Sequence, residues 1–364
     1  MDVVEPAMVM NSQHMNSQHL NSQHRQSPPP ETPLSEIPLP EKPSPATPSQ
    51  WADASLQQRV EYLGLRLAVA LARVLPIPAL TAIGAGIAWT VGPWLRQNRR
   101  ALQNLAIAFP DKSPAEHRRI ARAMWANMGR IFAETLVLDR LVADPSCITI
   151  ADFDHWQARF GTPGPSIGCT LHQGNWELAI WPLKLFGRQP AAVYKPLSNP
   201  LVDRWLAGAR IHLYPGGLFG KGGNDDDTKS GQRTARQIIN VARQGNCVGF
   251  VCDHFDRRGT PIPFMGRHAK FTTAPAMIAR HLDARLWVGR IVRLGKSSRF
   301  RMEIRELEVS KSSDKHADTL AMTTAVFAAF EEWIRKNPEQ WMWWNTRWVK
   351  PDDVPAAPVA NSQI

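Results

Sequence analysis

The sequence predicts an α/β layered domain, with a mainly parallel, twisted sheet flanked by helices, preceded by a helical segment that associates with membrane. Two observations predict the layered part. From Ser166 onward short apolar runs alternate with longer amphipathic stretches, the pattern of strands joined by helical crossovers. Those apolar runs are near-continuous rather than alternating, as in strands covered on both faces. A third observation predicts the membrane-associated part: residues 74–95 carry no charge and are bracketed by arginines.

In chain order, residues 1–50 read as a disordered tail. Asn-Ser-Gln-His occurs three times (Asn11, Asn16, Asn21) before a Pro-rich run to Pro48, and so few apolar residues cannot offset the entropy of ordering. No basic stretch leads into an apolar core, so it is not a secretory signal. Its repeated histidines (His14, His19, His24) suit at most loose metal binding, and low-complexity tracts are mostly just solvated.

Residues 51–144 form the membrane-associated helical region. Arg59, Arg66 and Arg73 recur every seven residues and make one stripe on a helix, with Val60, Leu63, Leu67, Ala70 and Leu71 over much of the rest. Pro76, Pro78 and Pro93, with Gly84, Gly86 and Gly92, leave little unbroken helix between Val74 and Leu95. The segment reads as lying in, or dipping into, the inner leaflet with Trp89 and Trp94 at the interface; a single spanning helix is the alternative. Helices then flank residues 109–114, where Ser113, Pro114 and Glu116 compose a capping box with proline in the first turn.

Residues 145–350 form the α/β domain, followed by a tail at 351–364. Strands are expected near 166–171, 191–194, 211–214, 247–251, 284–293 and 301–309. Helices are expected near 176–186, 200–209, 231–244, 274–282 and 318–336. The glycine-rich run from Gly216 to Gly223, followed by Asp225 to Asp227, reads as a mobile surface segment.

The formal charge of +11 over 364 residues calls for an anionic partner. Nucleic acid is the weakest choice, because no recognition helix, zinc-finger spacing or ribonucleoprotein motif is present. Fourteen tryptophans against three tyrosines suit a membrane interface as well as a core. The four cysteines, Cys147, Cys169, Cys247 and Cys252, have no paired spacing and read as free buried thiols.

The candidate site is the string from His172 to Glu177. It follows a buried strand, places Asn175 at a helix N-cap and puts Glu177 in the first turn. Uninterrupted helix would set His172 and Glu177 about 140° apart, but a turn between them can return the carboxylate to the imidazole. That arrangement suits a histidine general base held in its tautomer by an acid, facing amides that stabilise an oxyanion. A competing match is Gly164-x-Ser166-x-Gly168, the spacing of a nucleophile elbow. An elbow follows a strand, whereas Ser166 precedes one, so the match is coincidental. Gly216 to Lys221 lacks phosphate-loop spacing.

His172-Gln-Gly-Asn-Trp-Glu177 resembles the His-x4-acid motif of the glycerolipid acyltransferases, in the branch of lipid A lauroyl/myristoyl acyltransferases. The resemblance extends through Asn104-Leu105, Phe109-Pro110, Asn127-Met-Gly129 and Glu134. It continues in Pro196 to Pro200 with Asp203 and Arg210, in Gly249 to Asp253, in Pro261 to Gly266, and in Asn337 to Trp348. His254 departs from the family's usual Asp-Gln pair and receives no catalytic role. The resemblance implies a glycerolipid-acyltransferase-like fold on the cytoplasmic face of a bacterial inner membrane. There a fatty acyl chain would pass from the thioester of acyl carrier protein to a hydroxyl of a lipid A precursor, with no metal or organic cofactor. His172 would be the base and Glu177 the acid steering it. Asn175, Trp176, Arg210, Asp253 and Phe264 would bind substrate, Arg210 at a phosphate or headgroup and Phe264 walling an acyl groove, with membrane lipids as further partners. Open alternatives are another glycolipid or phospholipid acceptor, acyl-CoA as donor, a serine esterase and a lipid-binding scaffold.

Overall fold

A computed structural model of the chain describes residue 51 and residues 53–349, apart from 163 and 221–227. The histidine-bearing repeats, the tail at 351–364 and Asp225 to Asp227 lie outside the described residues. The chain begins with α1 (Leu56–Val74), α2 (Ile77–Val91), α3 (Arg96–Ala108), α4 (Pro114–Thr135) and the short α5 (Leu138–Val142). Ser113 and Glu116 close the expected capping box at the start of α4. The alternating part follows as β1 (Ile148–Ile150), α6 (Phe153–Gly161), β2 (Ser166–Thr170), β3 (Pro190–Tyr194), α7 (Pro200–Arg210) and β4 (Gly217–Gly220). Then come α8 (Thr228–Arg243), β5 (Cys247–Val251), β6 (Thr260–Phe264), β7 (Arg267–Phe271), α9 (Ala274–Leu282), β8 (Arg285–Arg293), β9 (Phe300–Leu307) and α10 (Lys315–Lys336).

Seven strands form one sheet in the order β1-β9-β8-β2-β5-β3-β4. Every pairing is parallel except β8 with β9. The central strand β2 is buried along its whole length. Its Ile167 and Cys169, with Leu171 beyond it, share a core with Val248 and Phe250 of β5 and with apolar residues of α3, α4, α8, α9 and α10. On the opposite face the sheet carries glycines where large side chains lie flat. A Cβ at Gly168 would overlap the Trp287 ring, and one at Gly249 would overlap Ile180. Those two glycines let Trp287, Ile180 and the rings of α6 close the second face.

Three expectations change. The helix expected over 176–186 is two 3-10 turns, Trp176–Leu178 and Trp181–Phe186, because Pro182 cannot donate into an α-helical ladder. The strand expected at 211–214 is the 3-10 end of α7, and the strand lies later, at β4. Part of the glycine-rich run is therefore paired sheet, in register with β3. The hairpin β6–β7 was not anticipated, since Pro261 and Pro263 argue against a strand interior. It stands apart from the main sheet and turns through Met265 and Gly266, both with positive φ.

The N-terminal glycines also act differently from expectation. Gly84 and Gly86 lie inside α2 rather than breaking it. A Cβ on either Gly84 or Gly129 would collide with the other's carbonyl oxygen, so α2 and α4 touch backbone to backbone. At 15 residues, α2 is about 22 Å long against about 30 Å of hydrocarbon. Among the described residues no helix is long and apolar enough to cross a membrane.

Candidate functional site

The site lies just past the carboxyl ends of β2 and β5, where open parallel sheets place their ligand crevices. The two strands are in register from Ser166 opposite Cys247 to Thr170 opposite Val251, and Cys252 N–H extends the ladder to Thr170 O at 3.1 Å. Two residues beyond the last pair on each strand stand His172 and Asp253. The Asp253 carboxylate receives His172 Nδ1 at 2.6 Å and the His172 backbone N–H at 2.9 Å. Trp341 Nε1 donates to the same carboxylate at 2.7 Å. Burial alone would raise the Asp253 pKa, but the imidazole and these donors outweigh it and hold it below the ordinary aspartate range. With Nδ1 donating to a carboxylate, Nε2 is left as the acceptor, and no hydrogen bond among the described residues engages it. The His172 side chain keeps 17% of its surface accessible, whereas Asp253 keeps none.

The acid on His172 is thus Asp253, and the expected steering by Glu177 is replaced by a different pairing. Both Glu177 oxygens are taken by Arg210, through Nε at 2.6 Å and Nη2 at 2.5 Å. The turn that would have returned Glu177 to the imidazole instead sends it toward the end of α7. Tyr214 completes the arrangement, its hydroxyl donating to the Glu177 carbonyl at 3.1 Å. Burial would weaken the Arg210 charge, but Glu177 more than restores it. Arg210 is therefore engaged by an acid of its own chain.

The loop between His172 and Glu177 is held from below. Gly174 has φ +61° and rests on the Ile291 carbonyl so closely that any Cβ would overlap it. Its carbonyl accepts from Asn127 Nδ2 at 3.2 Å and its N–H donates to Gln340 O at 3.1 Å. Asn175 is the N-cap expected, accepting from Glu177 N–H at 3.2 Å, while its Nδ2 donates to Glu134 at 2.8 Å. Glu134 in turn forms a fully buried pair with Arg293, at 2.5 Å and 2.7 Å.

Of the side chains expected to bind substrate, Asp253 and Arg210 are thus engaged by His172 and Glu177, and Asn175 and Phe264 also have other employment. Asn175 is completely buried between Glu134 and Glu177. Phe264 is also buried, edge-on to Phe271, Phe327 and Trp341 with centroids 5.3 to 5.8 Å apart, and so backs the site from the core instead of walling a groove. Trp176 remains partly exposed, its ring 5.0 Å from that of His172. Ser166 lies buried at the start of β2 and accepts from Trp287 Nε1 at 2.9 Å, the opposite end of the strand from His172. His254 is exposed, 6.4 Å from the His172 ring. Among the described residues, no group of three or more His, Cys, Asp or Glu is arranged to hold a metal ion.

Trp341, Arg293 and Gln340 have parts in this geometry that sequence reasoning did not assign. The signal for Arg293 was a charge inside an apolar strand, which requires a buried partner. Trp341 and Gln340 offered no local signal, because they reach the site only through the strap at 338–344, which joins Gln173 by a β-bridge.

Residues 48–350 match the family profile of the bacterial lipid A biosynthesis acyltransferases. The chain belongs to that family. It is therefore an acyltransferase of lipid A biosynthesis, acting between an acyl donor and a lipid A-type acceptor. No curated protein matches the chain in a direct comparison. In this lipid A acyltransferase the two ends of the string from His172 to Glu177 are paired to different residues of the chain, His172 to Asp253 and Glu177 to Arg210.

Proposed function

We propose that His172 is the general base for transfer of a fatty acyl chain from the thioester of acyl carrier protein to a hydroxyl of a lipid A precursor. The observation carrying this reading is the His172–Asp253 pair, with Nδ1 bound and Nε2 unengaged among the described residues. Nε2 takes the hydroxyl proton as the oxygen attacks the thioester carbonyl. The tetrahedral intermediate collapses by breaking its C–S bond, and the thiolate leaves with the proton held on His172, giving an ester and a free carrier thiol. Asp253 orients the ring and stabilises the imidazolium. Glu177 serves with Arg210, shaping the crevice beside His172. The N–H group of Trp176, a partly exposed residue, makes no hydrogen bond among the described residues and is the donor we assign to the oxyanion. The turn it opens is only a three-residue 3-10 helix, so the amide itself, not a macrodipole, would do this.

The site works at the cytoplasmic face of the inner membrane in this proposal. Leu56, Val60, Leu63, Leu67, Leu71 and Val74 run along one side of α1 at 57% to 78% exposure, and Trp94 is 87% exposed. A soluble surface rarely carries so long an apolar stripe unless it meets a partner. Flanking arginines suit anionic lipid, and the basic chain suits acidic acyl carrier protein. Purified protein supplied with an acylated glucosamine disaccharide should form product from acyl carrier protein thioester and much less from acyl-CoA. His172→Ala should lower kcat by about 10²–10⁴-fold. Full turnover in that variant would sink the assignment of the base, and preference for acyl-CoA would sink that of the donor.

A further inference from the structure

We propose that the cleft between α1 and α7 binds the phosphate headgroup of an anionic phospholipid, at a place separate from the reacting centre. The cleft holds about 350 Å³ and is lined by Tyr62, Arg66 and Arg73 of α1, by Arg204 and Trp205 of α7, and by His212. Its walls are fixed at both ends. Near the start, Asn199 Nδ2 donates to Gln58 O at 3.0 Å and to Glu61 Oε2 at 2.9 Å. At the far end, Arg140 Nη1 donates to the carbonyls of Ala72, Arg73 and Leu75 at 3.1 to 3.3 Å. α1 is thus tied to the start of α7 through Asn199 and to α5 through Arg140, so the groove is already shaped before anything enters it, which lowers the entropy cost of binding.

The chemistry of the lining selects the ligand. Three guanidiniums line the cleft against one carboxylate, Asp139, which bonds Arg73 at 3.2 Å. Guanidiniums match phosphate oxygens in geometry and charge. Arg66 and Arg73 stand about a quarter-turn round α1 from the exposed apolar stripe. A headgroup in the cleft would therefore leave its acyl chains running toward the surface where Leu63, Leu67 and Leu71 are exposed. Arg210 and Asp203 point from the other side of α7, to Glu177 and to the Leu197 N–H. The helix thus divides the cleft from the His172 site, and the lipid held there is not the acyl acceptor. This inference rests on the membrane placement of α1 proposed above.

A short-chain, non-micellar phosphatidylglycerol titrated into the full-length protein by calorimetry tests the cleft without a membrane. Saturable binding is expected, unchanged in Arg99→Ala/Arg100→Ala, whose two arginines are exposed outside the cleft. It should weaken roughly 25-fold in Arg66→Ala/Arg73→Ala, from about 1 kcal/mol per basic residue, and recover largely in Arg66→Lys/Arg73→Lys. No saturable binding, equal losses in both alanine pairs, or inorganic phosphate binding as tightly as the lipid would each overturn the assignment. Acyl transfer in detergent should be unaffected by Arg66→Ala/Arg73→Ala, and a collapse there would place the cleft on the acceptor's path instead. Flotation on phosphatidylglycerol vesicles tests the other reading: wild-type protein that binds the short-chain lipid but does not float supports the cleft and refutes the membrane placement.

Discussion

Asp253 grips His172 twice, through the ring Nδ1 at 2.6 Å and through the backbone N–H at 2.9 Å. One carboxylate therefore fixes both where the imidazole begins and which way it turns. The second contact is possible because β2 and β5 are parallel neighbours in register, so the residues just past their ends lie side by side.

Replacing that carboxylate by its amide keeps the shape and removes the charge. Asp253→Asn is expected to lower kcat by about 10³–10⁴-fold with little change in KM, as for a base held in the wrong tautomer. Steady-state kinetics check this. Loss confined to KM would mean that Asp253 binds substrate.

The same group makes stability depend on acid. The Asp253 pKa is depressed in the folded protein, so it contributes stability above the unfolded aspartate value of about 3.9 and loses it as pH falls through the lower folded value. Asp318 and Glu303 are depressed as well, in each case because hydrogen bonds and arginines overcome burial. Urea unfolding followed downward from pH 5 should show a falling midpoint, and the fall should be shallower in Asp253→Asn.

Arg210 and Glu177 should behave as a unit. Arg210→Ala strands a buried carboxylate and is expected to cost about 3–5 kcal/mol, whereas Arg210→Ala with Glu177→Gln should cost clearly less than the sum of the single changes. Denaturant melts of the four proteins close the cycle. Additive losses would show that the pair is not coupled.

Gly174→Ala should be the most damaging single-methyl change in the site loop. The residue needs φ +61° and has the Ile291 carbonyl directly behind it, and the left-handed conformation alone costs roughly 1–2 kcal/mol for an alanine. Gly266→Ala provides the comparison, since its φ is +77° but its Cβ would meet nothing. Transfer activity should fall steeply in the first and little in the second.

The elements readable in advance were those whose pattern is local. The β5 run Cys247–Val251 and the α9 run Ala274–Leu282 stand where expected, because a continuous apolar run and an apolar helical stripe each need only neighbouring residues to be recognised. The capping box at Ser113 is equally local. The hairpin β6–β7 was hidden, since its prolines are tolerable only in strands that stand outside the main sheet.

By itself the sequence determined that His172 ends a buried strand, that Asp253 ends another, and that the chain resembles the lipid A acyltransferases. It could not decide which acid meets the imidazole, because five residues of separation say nothing about a strand more than 80 residues away. Tertiary structure decided that β2 and β5 are neighbours, which brings Asp253 to His172, and that Glu177, in the short turn capped by Asn175, meets Arg210 at the end of α7. Strand order is set by how whole layers pack, and no local pattern encodes it.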